Sequence, residues 1–73
     1  MKNKVWFFQD DFDSHIKFGF NDLNIVPRIG EYVDISMVVS GLGGYVSHIQ
    51  HTYFNGLEDM YVVINIILKD KND

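Results

Sequence analysis

Hydrophobic and polar residues alternate along most of this chain with a period of two, the spacing of a β-strand that buries one face. Over residues 31–40 the alternation places Val33, Ile35, Met37 and Val39 on one side and Tyr32, Asp34, Ser36 and Val38 on the other. Over residues 15–20 it groups Ile16, Phe18 and Phe20 against Lys17 and Gly19. Residues 60–69 predict the longest strand, with Met60, Val62, Ile64, Ile66 and Leu68 on one face and Tyr61, Val63, Asn65 and Ile67 on the other. Both of its faces are mostly apolar, so the outer one needs cover. Val5-Trp6-Phe7-Phe8 is apolar without alternation and predicts a first strand covered on both sides. In the stretch from Tyr45 the phase breaks, because Val46 and Ile49 are an odd number apart and cannot share a face of a regular strand. A β-bulge near Ser47 and His48 turns both inward, puts Ile49, His51 and Tyr53 in phase, and aims His51 at the rim of the core.

Turn signals separate these segments. Pro27, the only proline, and Gly30 predict a rigid turn that opens into the 31–40 strand. Residues 21–24 leave the second strand, Gly41-Leu42-Gly43-Gly44 closes the third as a hairpin loop, and Asn55-Gly56 marks another hairpin, lengthened by Leu57-Glu58-Asp59. Residues 69–73 form a polar tail expected to fray. No long glycine-free window keeps a helical stripe, and only Asp13 or Ser14 resembles a helix N-cap. Short strands between regular turns predict an all-β fold, a small five-stranded SH3-like (or OB-like) barrel, as a single domain over residues 1–73.

A chain of 73 residues buries a modest core, and with no cysteine it has neither disulfides nor thiolate metal sites to supplement it. Oligomerisation would make up the difference, and the missing cysteines fit a reducing, cytoplasmic location. The run at 5–8 is too short for a signal-peptide core, and no stretch approaches a membrane span. Ten acidic against six basic residues give a net charge of −4, with Lys2, Lys4, Lys17, Arg28, Lys69 and Lys71 scattered in sequence, which makes nucleic acid a poor partner.

The pattern Pro27-x-x-Gly30-Glu31-x-Val33, then Tyr45-Val46-x-x-Ile49-x-His51, then the strand at 62–68, resembles small uncharacterised SH3-like β-barrel proteins of bacterial and phage genomes. That resemblance implies a five-stranded barrel with no assigned activity. The chain does not resemble peptide-binding SH3 domains, whose acidic aromatic loop is absent, or the Sm-like RNA rings.

Candidate chemistry is sparse. His48 and His51, with Glu31, are the ligand candidates, since imidazole both binds metals and titrates near neutrality. Three apart on a regular strand, the two histidines point to opposite faces, so a shared metal site is not expected. Asp10, Asp11 and Asp13 lack the calcium-loop spacing and predict a solvated acidic turn. The glycines of 41–44 precede a strand, where a phosphate cradle precedes a helix, and Glu31, directly after a turn glycine, is expected to cap backbone amides or face water. Ser14, Ser36, Ser40 and Ser47 lack the context of a nucleophile elbow. No catalytic centre, cofactor or metal is therefore expected, and an enzyme is not the leading expectation.

Tyr32, Val38, Tyr61, Val63 and Ile67 are aromatic or aliphatic residues predicted to face away from the barrel interior. Gathered on adjacent strands, they would form an interface with a second copy of the chain or with another protein, unless a curled barrel buries both faces of residues 61–68 by itself. The leading expectation is a small binding and assembly module that is homo-oligomeric. The alternatives are an OB-like single-stranded nucleic-acid binder stacking bases on Phe18, Tyr45 and Tyr53, and a ligand or hydrolytic site near His48 and His51.

Overall fold

The strands nearest the two ends of the chain build the centre of the molecule. The computed structural model describes residues 2–56 and 60–71. These form β1 (Lys2–Gln9), β2 (Lys17–Asn21), β3 (Tyr32–Asp34), β4 (Gly43–Asn55) and β5 (Met60–Lys69), with no helix among them. One sheet holds all five in the order β2-β1-β5-β4-β3. β1 and β5 run parallel, and every other neighbouring pair is antiparallel. The sheet curls into a half-barrel of the small SH3-like or OB-like class, so the all-β reading holds.

Burial follows the alternation. Val5 and Phe7 on β1, Val62, Ile64, Ile66 and Leu68 on β5, and Val46 on β4 share the inner face and form the core with Ile35 and Leu42. Phe18, Phe20, Leu23, Val26, Val33, Val39 and Ile49 pack around it. Because β2 and β3 lie at opposite edges, residues 22–31 must cross the inner face, and Asn3 anchors the start of that crossing. Its side-chain amide donates to the Leu23 carbonyl at 2.9 Å, and its side-chain oxygen accepts from the Leu23 N–H at 2.8 Å. The polar start of β1 thus serves as a clamp.

The expected bulge is present: pairing with β5 shifts between Val46 and His48 and then continues regularly to Asn55 opposite Met60. Gly44 just before it is required by space as well as by its φ of +139°, since a Cβ there would lie 2.4 Å from the Lys69 carbonyl oxygen.

Four expectations are corrected. The strand at 31–40 is only Tyr32–Asp34, and the chain then turns through residues 36–41, leaving Met37 95% exposed. The Asp34 carboxylate captures both the N–H and the hydroxyl of Ser36, at 2.9 and 2.6 Å, which bends the backbone out of the sheet. The loop at 41–44 ends at Leu42, which is fully buried, and Gly43 and Gly44 already belong to β4. That makes β4, at 13 residues, longer than β5 at 10. β1 alternates after all: Val5, Phe7 and Gln9 are buried, while Trp6 and Phe8 are half-buried on the outer face. Leu57, Glu58 and Asp59 of the predicted loop, and the end of the predicted tail, lie outside the described residues.

Candidate functional site: the outer face of the sheet

Strand order and register fix which side chains meet on the face opposite the core. Four rows cross it. The first runs Lys17, Phe8, Ile67 and His48; the second Gly19, Trp6, Asn65 and Gln50; the third Asn21, Lys4, Val63 and Thr52; the last Lys2, Tyr61 and Phe54. None of these residues is acidic. The lysines that look scattered in sequence converge here, because Lys2 and Lys4 lie on β1 and Lys17 on the strand beside it. Lys4 Nζ stands 5.2 Å from the centre of the Trp6 ring and Lys17 Nζ 5.9 Å from that of Phe8, within reach of cation–π attraction. Trp6 presses against bare backbone, since a Cβ on Gly19 would come within 2.9 Å of two indole atoms.

Cover is uneven. From the acidic turn, Phe12 packs edge-on against Phe8 at 5.4 Å and against His48 at 5.7 Å, the two neighbours of Ile67 in the first row. Ile67 is accordingly half-buried by its own chain. At the other end Tyr61 and Phe54 stack on each other with ring centres 5.0 Å apart, yet both stay exposed, at 42% and 41%. Tyr61, Val63 and Ile67 therefore do line up along β5. Tyr32 shares the face through its partner Tyr45, 5.1 Å away, but at the far end of the sheet. Val38 lies in the turn after β3, outside the rows.

The ligand candidates do not converge. His48 pairs with Ile67 on the outer face and His51 with Ile64 on the inner, because the bulge precedes both and leaves their relative phase unchanged. His51 Nδ1 is 3.4 Å from the Tyr53 hydroxyl. Glu31 accepts a hydrogen bond from the Arg28 N–H and closes the turn after Pro27, the capping role expected of it. It also borders an inner-face groove of about 440 Å³ with Phe7, Phe20, Val33 and Ile35, and neither histidine reaches that groove. In the acidic turn the Asp11 carboxylate accepts from the Asp13 N–H at 2.9 Å. Among the described residues no group of three or more metal-ligating side chains comes together, and no helix is long and apolar enough to cross a membrane.

Of the residues considered for base stacking, Phe18 belongs to the inner face with Phe7, Tyr53 to the inner side of the outer end of β4, and only Tyr45 to the outer face. Sequence reading missed Trp6, Phe8 and Phe54 as members of the exposed face. The signal was there in part, since the apolar run at 5–8 requires that one side of β1 lie outside any single-layer core. No protein-family model, curated protein or solved structure matches this chain.

Proposed function

We propose that this protein is a binding and assembly module that works through protein–protein contacts and associates with itself. The observation that supports this is the outer face: an aromatic and aliphatic centre of Trp6, Val63, Tyr61 and Phe54, rimmed by lysines and amides, over which the described residues lay no second layer. An apolar centre with a polar rim is the anatomy of a protein interface, and tyrosine and tryptophan are its usual anchors. The face carries positive charge while the chain as a whole carries −4, so the acidic remainder of a second copy is electrostatically suited to it. Replacing Tyr61 and Val63 together by Lys is expected to lower the mass measured by light scattering over a concentration series, with the circular dichroism spectrum unchanged. An unaltered mass would count against the outer face as the contact.

A second reading is favoured by one specific arrangement, Lys4 and Lys17 against Trp6 and Phe8, which is the combination that holds single-stranded nucleic acid. Trp6 is the only tryptophan, so its fluorescence reports on this face alone. Quenching by a single-stranded oligonucleotide, reversed by salt, is the result this reading requires. Constant fluorescence at low salt removes it.

A further inference from the structure

The sheet has two very different edges. β2 is short, five residues, and opens with Lys17. On the other side β3 covers β4 only from Gly43 to Tyr45, and the 30–31 turn adds one more residue, with the Gly30 N–H donating to the Val46 carbonyl and the Val46 N–H to Glu31. Beyond the bulge, residues 47–55 of β4 have β5 on one side and, among the described residues, no strand on the other. Every second residue there directs a backbone N–H and C=O away from the sheet. Natural edge strands are protected by charge, proline, a bulge or brevity. Beyond its bulge β4 has none of these, since Gly43–Asn55 contains no Asp, Glu, Lys, Arg or Pro and the ladder with β5 is regular from His48 to Asn55.

From this edge we infer that two copies of the chain join by pairing β4 with β4, antiparallel, about a two-fold axis centred on His51. The inference rests on the reading that the chain associates with itself and adds a second seam, at the sheet edge, beside the contact through the outer face. A two-fold axis perpendicular to the sheet keeps each side chain on its own face, so only residues an even number apart can pair, and one residue must meet its own counterpart. Using the whole free stretch of 47–55 makes that residue His51. The remaining pairs then match in kind: Ile49 meets Tyr53 on the inner face, His48 meets Phe54 on the outer, Gln50 meets Thr52, and Ser47 meets Asn55. A β-branched residue against an aromatic one is a favourable cross-strand pair, and polar residues meet polar ones. The halves of the edge are complementary to each other, and the absence of fixed charge leaves no like-charge opposition at the seam. Tyr53, 57% exposed on one chain, gains a neighbour in the dimer. The two outer faces then form one continuous surface.

The chain has no cysteine, so a single introduced one is a clean reporter. Directly opposed residues on antiparallel strands have Cα atoms roughly 4.5–5.5 Å apart, inside the span a disulfide bridges. On mild oxidation the His51→Cys protein is expected to cross-link into a covalent dimer, while Met37→Cys, in the exposed turn, forms no covalent dimer at the same concentration. In parallel, replacing Gln50 and Thr52 by Lys opposes like charges twice across the seam and is expected to raise the dimer dissociation constant roughly tenfold or more by sedimentation. An oligomer that ignores the Gln50 and Thr52 substitutions, together with no cross-link at position 51, overturns the edge pairing and leaves the assembly reading standing. A monomer at every concentration overturns both.

Discussion

The β4–β5 hairpin has a base and a tip that share one sequence pattern and meet different fates. At the base, Val46, Ile66 and Leu68 are buried, because β1 and β3 flank the hairpin and the turns at 22–31 and 36–41 close over the inner face. At the tip, Tyr53 continues the same inward phase opposite Val62 but is exposed. β4 is long enough, at about 3.3 Å per residue, to account for the 40 Å length of a molecule 23 Å wide. Alternation specifies which way a side chain points; burial also needs something on the other side.

The contrast is sharpest for stability. Ile66→Ala at the base removes a fully buried side chain and is expected to cost about 2–5 kcal/mol in urea denaturation, whereas Tyr53→Ala at the tip should cost no more than about 0.5. Equal costs would mean that the tip is packed as firmly as the base. Gly44→Ala comes next. Its Cβ would meet backbone that cannot move without breaking the β4–β5 ladder, for an expected loss of about 1–3 kcal/mol, read as a lower unfolding midpoint. Gln9→Ala tests a polar element of the base. The Gln9 side-chain oxygen accepts from the Gly43 N–H at 2.8 Å, and leaving that amide without its partner should cost about 1–2 kcal/mol and speed its hydrogen exchange. Gln50→Ala at the tip serves as the neutral counterpart.

The smallest effect is expected at Asp34. Hydrogen bonds from the Ser36 hydroxyl and then from its N–H hold this carboxyl below the usual carboxylate range. A folded-state value lower than the unfolded one adds stability above the unfolded value, and that stability disappears as pH falls through the folded value. Thermal unfolding of Asp34→Asn followed from neutral to strongly acid pH should therefore show a slightly shallower acid loss than the parent protein. Identical slopes would remove the turn from the acid response.

The regular strands were legible in sequence because one face of each is buried and the period of two records it. Even the bulge could be read from Val46 and Ile49. The third strand was overextended because residues 33–39 continue to alternate after the chain has turned away. The deciding signal there was Asp34 two residues before Ser36, a local hydrogen-bonding pair and not a hydrophobic one. The outer face was the least legible. Lys4 neighbours Val63, and Trp6 lies between Gly19 and Asn65, only because β1 inserts between β2 and β5, a long-range choice that no local period encodes.

The bulge sets the frame for everything after it. A regular ladder that kept Ser47 and paired it with Ile67 in place of His48 would turn the rest of β4 over, exchanging the faces of His48 and His51 and carrying Phe54 to the inner side and Tyr53 to the outer. A single residue without catalytic chemistry thereby decides which of two surfaces the second half of the strand presents.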